Sequence, residues 1–219
     1  MKPSEVGAGR SATLPARCRP RNPAGARRPD APLQTSVKFS LAMLDPATIV
    51  AHPAPGRSCG TCTLCCKVYD VPAVDSVAGQ WCRHTRQGRG CAIHATRPDH
   101  CRAFHCLWMT QAWLGPDWKP DRAKMVLTVD PATRFLFVQV DPGAPGAWKR
   151  DPYYGQLKQW AAGAIPRGRH VVVFVNKSAT VVLPDRDVVI GALGPGDRLV
   201  ARERRTAAGV TLDIEKVAA

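Results

Sequence analysis

The chain has 219 residues, room for one domain of ordinary size or two small ones, and its composition is that of a globular protein with a buried core. It does not need to be a small disulfide-dependent protein, and no run of about 20 apolar residues predicts a membrane-spanning helix. The net charge of +14 is unevenly placed: residues 1–42 carry eight Lys or Arg and two acids, whereas residues 43–219 carry 23 and 15. Much of the positive charge therefore lies in the first 42 residues, and the rest is spread over the chain without a basic patch. This distribution disfavours a nucleic-acid partner.

The first 42 residues are predicted to form a basic, Pro/Arg-rich tail. Residues 1–35 are too poor in apolar side chains to offset the entropy lost on ordering, so we expect disorder over 1–42. Met43 offers an alternative start of translation, and one hypothesis is that the native product begins there. The apolar run that a secretory signal needs does not precede the cysteines, which predicts a cytoplasmic protein.

Cysteine is the most informative residue type in the sequence. Eight of the nine cysteines lie between residues 59 and 106, and only Cys18 lies outside that region. Cysteines at two-residue separations can surround one soft cation, whereas a hydrophobic core gains little from adjacent sulfurs. Thiols in the cytoplasm are kept reduced. We therefore predict a metal-binding module over residues 43–122, with these ligands: Cys59, Cys62, Cys65, Cys66, Cys82, Cys91, Cys101 and Cys106.

The adjacent pair Cys65 and Cys66 suggests more than one metal centre. Successive side chains point apart in an extended backbone, so we expect Cys66 to serve a second centre or to bridge. The eight cysteines then divide into two four-thiolate sites, each completed by ligands from the later part of the segment. Zinc, iron and an iron–sulfur cluster all accept four thiolates, so the cofactor is left open among them. His84 and His105 are candidate additional ligands.

The segment around the cysteines is predicted to contain little regular structure. Glycines and prolines make residues 52–95 irregular, with a short strand at 68–71 and a turn at 87–90 that leads to Cys91. One helix is predicted from about residue 98 to 114, after a start signal at 96–99. Cys101 and Cys106 would then lie about 140° apart around that helix.

Beyond residue 120 the pattern changes to short β-branched runs, which predict a small α+β module over residues 123–219 with antiparallel strands. A helix is predicted at 151–164, where apolar residues recur with helical spacing. The sequence shows no phosphate-binding loop and no paired carboxylates near the cysteines, so it does not decide whether the protein is an enzyme. The predicted strands are 125–129, 135–140, 171–175, 180–183, 187–190, 198–202 and 210–214.

The order of these residues resembles the YkgJ-like cysteine-cluster family, whose Cys-x-x-Cys-x-x-Cys-Cys signature is matched by residues 59–66. Further matching elements lie at 81–82, 90–94, 97–101, 104–106 and 119–122. The resemblance covers roughly residues 56–122 and implies a bacterial-type protein that chelates zinc or iron. A related signature occurs in flagellin lysine methylases, which implies an Fe–S redox or protein-modifying enzyme as one alternative function. The positive net charge leaves a basic nucleic-acid-binding protein as the other alternative.

Overall fold

The computed structural model describes residues 52–194, 196–206 and 209–218, with no side-chain account for residues 205, 206, 209 and 210. The predicted tail, Cys18 and Met43 lie outside these ranges. No helix in the described part of the chain is long and apolar enough to cross a membrane. The α-helices are α1 (Cys65–Val68), α2 (Asp99–Ala103), α3 (Leu107–Thr110), α4 (Pro120–Ala123) and α5 (Tyr153–Ala164). The strands are β1 (Thr85–Arg86), β2 (Gly90–Cys91), β3 (Met125–Val129), β4 (Leu136–Val140), β5 (Val171–Val175), β6 (Ser178–Val182), β7 (Asp187–Ala192), β8 (Arg198–Thr206) and β9 (Gly209–Val217).

A five-stranded sheet in the order β3-β4-β5-β6-β7 supports the fold. Three of its strand pairs are antiparallel, but β4 and β5 run parallel, because the connection that contains α5 returns the chain to the same end of the sheet. The hairpin β8-β9 forms a separate two-stranded ribbon. The predicted α+β class is therefore confirmed, and the parallel pair is a feature that the strand pattern did not indicate.

The sheet is covered on both faces. On one face α5 packs Leu157 and Trp160 into a core that includes Val173 of β5. On the other face Val172, the neighbouring residue in β5, packs in a second core together with Ile214 of β9. Alternating valines therefore serve opposite layers, as the period of two in a strand requires.

Two predicted elements of the cysteine segment are wrong. Residues 98–114 do not form one helix. They form α2 and α3, because Phe104 and Cys106, which lie between the two helices, both have extended backbone. This break lets the Phe104 ring pack on Tyr69 at a centroid distance of 5.1 Å and buries Cys106. Tertiary contacts thus override a helix preference that is weak in this stretch. The strand predicted at 68–71 does not form: α1 ends at Val68, and of the next three residues only Val71 pairs, in an isolated antiparallel bridge with Ser76. The turn at 87–90 is confirmed, since it joins β1 to β2.

The cysteine segment packs on the outer strand of the sheet. Val126 of β3 is fully buried in a cluster with Leu64, Val68 and Met109. The Lys67 ammonium forms a largely buried ion pair with Asp141, with an N–O distance of 2.7 Å. Apolar burial and this pair together attach the cysteine segment to the sheet.

Arg57 connects the start of the cysteine segment to the chain that follows α3. Its guanidinium lies 4.8 Å from the centroid of the Trp108 ring. The same group donates to four backbone carbonyl oxygens, which belong to Trp108, Gln111, Ala112 and Leu114. One side chain therefore fixes where the loop that contains Cys59 begins.

Replacing Arg57 with Met is expected to lower the free energy of unfolding by about 2 kcal/mol, because several carbonyls lose a charged donor. Urea denaturation measures the change. Arg83→Met is the matched control, since the Arg83–Asp75 pair is exposed (side-chain exposures of 63% and 79%), and it is expected to change stability by less than about 0.5 kcal/mol. Equal losses in the two variants would contradict the role given to Arg57.

Candidate metal centre

All eight predicted cysteine ligands line one cavity of about 340 Å³. They reach it from separate short elements: the loop before α1, α1 itself, the turn before β1, β2, α2 and the residue before α3. Apolar side chains, including Val71, Ile93 and Met109, form much of the remaining wall. Residues spread over 48 positions of the sequence thus line the same cavity.

The first four cysteines lie in a turn followed by α1. The Cys62 amide donates to the Cys59 carbonyl oxygen at 2.8 Å, which closes the turn. Cys65 and Cys66 are consecutive residues of a helix, so their side chains diverge by about 100°. Their sulfurs are 3.9 Å apart. The extended backbone assumed for this pair is therefore wrong, and both thiols face the same cavity.

The later cysteines are positioned by backbone contacts to the first group. The Cys82 amide donates to the Cys66 carbonyl oxygen at 3.0 Å. Cys91 on β2 pairs with Thr85 on β1, which places it close to the chain that leaves Cys82. Cys101 lies in α2, and Cys106 immediately precedes α3. The broken helix therefore lets these last two thiols approach the cavity from different directions.

Gly90 allows β2 to approach the Cys59–Cys62 loop closely. Its φ of +95° suits glycine, and a Cβ at this position would lie 2.8 Å from the Gly60 carbonyl oxygen. No side chain can be accommodated there unless one backbone moves. The two parts of the cysteine segment therefore meet backbone to backbone at this point.

Burial is the main influence on the pKa of four of the thiols. It raises the pKa of Cys59, Cys62 and Cys101, and it raises the pKa of Cys106 to about 11. Cys66 differs, because a hydrogen bond with Cys65 lowers its pKa to about 7. A metal ion binds the thiolate form, so it would have to displace the protons from those cysteines whose pKa is raised.

Nearby backbone amides oppose part of the effect of burial. Burial raises the pKa of Cys62, and the amides of Leu64 and Asp121 offset part of that rise. The amides of Met109 and Trp108 offset part of the rise at Cys106. Amide donors close to sulfur are a feature of metal–thiolate centres.

Two cationic side chains near the thiols were not among the predicted site residues. Burial raises the pKa of Cys59, and the positive charges of Arg97 and Lys119 offset part of that rise. Lys119 also pairs with Asp121 at 3.2 Å. Their positive charges offset part of the negative charge that a set of thiolates would carry. Neither residue has a role at the site that the sequence alone predicts.

The histidines are divided by the structure. His84 lines the cavity, and so do His94 and His100. The Arg83 guanidinium donates to Nε2 of His84 at 3.3 Å. His105 is not among the residues that line the cavity. Of the two candidate additional ligands, only His84 is therefore placed beside the thiols.

The eight thiols line the same cavity without forming a ready set of metal ligands. Among residues 52–194, 196–206 and 209–218, no group of three or more Cys, His, Asp or Glu side chains is arranged to hold a metal ion. The eight cysteines form no disulfides. In a tetrahedral zinc–thiolate site the sulfurs lie about 3.8 Å apart, a spacing that Cys65 and Cys66 approach. Metal chelation by these cysteines stays a prediction.

Gly90→Ala is expected to lower the free energy of unfolding by about 2 kcal/mol more than Gly88→Ala, as measured by urea denaturation. Both glycines have left-handed backbone, but a Cβ at Gly88 meets nothing within 4 Å. The comparison therefore isolates the contact with Gly60 from the backbone strain. Gly90→Ala should also increase the rate of iodoacetamide labelling at Cys59 and Cys62. Identical behaviour of the two alanine variants would show that the contact is unimportant.

Comparison with family models, with curated proteins and with solved structures finds no match for this chain.

Proposed function

We propose that this protein binds zinc or iron, the iron either as ions or as an iron–sulfur cluster, through its eight clustered cysteines. The observation that carries the proposal is the convergence of all eight thiols on one cavity. The side chains available are soft sulfur donors with the cations Arg97 and Lys119 near Cys59, and zinc and iron–sulfur centres use donors of this kind. The ligands would be Cys59, Cys62, Cys65, Cys66, Cys82, Cys91, Cys101 and Cys106, with His84 as an additional candidate.

A metal would have a clear structural effect in this segment. Each helix between residues 65 and 123 has five residues or fewer, and β1 and β2 have two residues each. Elements this short are not stable by themselves in water. Bound zinc or iron would cross-link them and would contribute its binding free energy to folding, as in other small metal-dependent modules. The cysteine-rich region would then be an irregular metal-binding module beside the α+β module.

The described structure offers less support for nucleic-acid binding. The β8-β9 hairpin carries the densest late run of arginines, but carboxylates on the same ribbon pair with them. Arg204 lies 2.8 Å from Asp213, and Arg202 lies 3.6 Å from Glu215. The local positive charge is thus partly neutralised, which reduces the attraction for phosphates.

The proposal predicts that full-length protein purified without oxygen contains about one to two equivalents of zinc, or iron with matching acid-labile sulfide, because eight thiols can supply two four-ligand sites. Elemental analysis and the visible absorption spectrum measure this directly. A zinc protein should be colourless, whereas an iron–sulfur protein should have a visible band that bleaches on reduction.

Cys18→Ser is the matched control, because this cysteine lies outside the cluster. Its metal content should equal that of the unmodified protein, whereas replacing all eight clustered cysteines with serine should abolish metal binding. Metal-free protein that folds normally would refute the proposal.

A further inference from the structure

A small cavity in the α+β module is separate from the one that the cysteines line. It has a volume of about 10 Å³ and lies between the β3–β4 turn, the end of α5 and the start of β5. A space of this size accommodates about one water-sized group. Four basic side chains and four apolar ones form its wall: Arg134, Arg167, Arg169 and His170, with Val129, Leu136, Ala164 and Val171.

His170 is buried in this wall with a ring nitrogen that lacks a partner. The residue is 6% exposed. In the described part of the chain, its Nδ1 is one of four buried side-chain atoms without a hydrogen-bond partner. The ring packs edge-on against Phe135 at a centroid distance of 4.9 Å. A buried polar atom without a partner costs free energy, so an oxygen atom of a ligand in this cavity would stabilise the histidine.

The backbone brings the three arginines to the cavity from two turns. Arg134 has a left-handed φ of 63° in the β3–β4 turn, where its amide donates to the Asp130 carbonyl oxygen at 2.9 Å. Gly168 has a φ of 63° and ends a 3₁₀ turn after α5, so Arg167 and Arg169 flank a reversal of the chain. The two turns precede β4 and β5, which are adjacent and parallel. Both turns therefore lie at the same end of the sheet.

Neighbouring acids do not neutralise these arginines. Within the residues that the structure describes, none of the three forms an ion pair, whereas arginines elsewhere do, such as Arg204 with Asp213 at 2.8 Å. The acid of the β3–β4 turn, Asp130, instead accepts hydrogen bonds from the amide and the hydroxyl of Thr133, both at 2.7 Å. Like charges around one cavity repel one another, and a bound anion would relieve that repulsion.

From this arrangement we infer a binding site for a phosphate group, either free or in a monoester. One phosphate oxygen would occupy the cavity and accept a hydrogen bond from Nδ1 of His170. Arg134 and Arg167 are exposed and Arg169 is half-buried, so their guanidinium groups are available to the oxygens at the mouth. Arg167 uses one of its five donors on the Gly163 carbonyl oxygen, 2.9 Å away. Three guanidinium groups match a divalent phosphate better than a singly charged carboxylate.

The phosphate site goes beyond the proposed metal binding and does not depend on it, because the two cavities share no lining residue. Failure of one proposal therefore leaves the other intact.

Isothermal titration calorimetry of the full-length protein with inorganic phosphate tests the site. The double variant Arg167→Gln with Arg169→Gln is expected to raise the Kd at least about tenfold, because two charged donors are lost. Arg86→Gln with Arg89→Gln is the matched control, since it removes the same charge from exposed positions outside the small cavity. The control should keep the Kd within about twofold. Equal losses of affinity in the two double variants, or no phosphate binding by the unmodified protein, would overturn the inference.

His170→Phe tests the histidine, because it keeps a buried aromatic ring and removes Nδ1. The Kd for phosphate should rise about tenfold. The free energy of unfolding in phosphate-free buffer should not fall, since a buried atom without a partner has been removed. Unchanged phosphate affinity in this variant would overturn the role of Nδ1.

Nitrogen NMR of the unmodified protein gives a measurement that does not depend on the folding of variants. The Nδ1 resonance of His170 should shift on addition of phosphate, with the Kd that calorimetry gives. Absence of a shift would mean that only water fills the cavity and would overturn the inference. Glycerol 3-phosphate is titrated in parallel to identify the source of the phosphate group. Tighter binding than that of inorganic phosphate identifies a monoester as the ligand, and equal or weaker binding identifies the free ion.

Discussion

The conformation of the cysteine segment depends on contacts with the rest of the chain, because the elements that bring its eight thiols to one cavity are too short to be stable alone. Between residues 59 and 106 the longest helix has five residues, so hydrogen bonds within helices and strands fix little of this segment. Its conformation is determined instead by side chains that reach other parts of the chain. Arg57 bonds four carbonyls near α3, and Lys67 pairs with Asp141 beside the sheet.

The five-stranded sheet supplies the rigidity that the cysteine segment lacks. Its central strand β5 has buried residues on both faces, with α5 on one side and the β8-β9 hairpin on the other. The cysteine segment packs on the outer strand β3 through Val126. A metal site built on this support would have one side fixed by the sheet, and the metal would order the remaining short elements.

How much could be predicted differs between the two halves of the described chain. The strands at 125–129 and 171–175 match their predicted bounds, because β-branched residues in short runs are a strong local signal. The helix predicted from 98 to 114 is wrong, since no local pattern shows that Phe104 packs on Tyr69 and interrupts it. The parallel pairing of β4 and β5 is likewise a property of the whole sheet rather than of either strand.

The candidate site shows the same contrast. Cysteine spacing identified the eight thiols that line the cavity, because clustered sulfurs are uncommon without a chemical role. It did not identify Arg97 and Lys119, whose importance comes only from their positions near Cys59. The prediction that Cys65 and Cys66 point apart assumed an extended backbone, but they lie in a helix and their sulfurs are 3.9 Å apart.

X-ray absorption spectroscopy at the zinc or iron edge tests most directly whether cysteine thiolates hold a metal in this protein. The full-length chain, purified without oxygen, is the sample. The account predicts a first shell of about four sulfur atoms per metal at about 2.3 Å. A first shell of nitrogen or oxygen atoms at about 2.0–2.2 Å would contradict it, because the metal would then be bound outside the cysteine cluster.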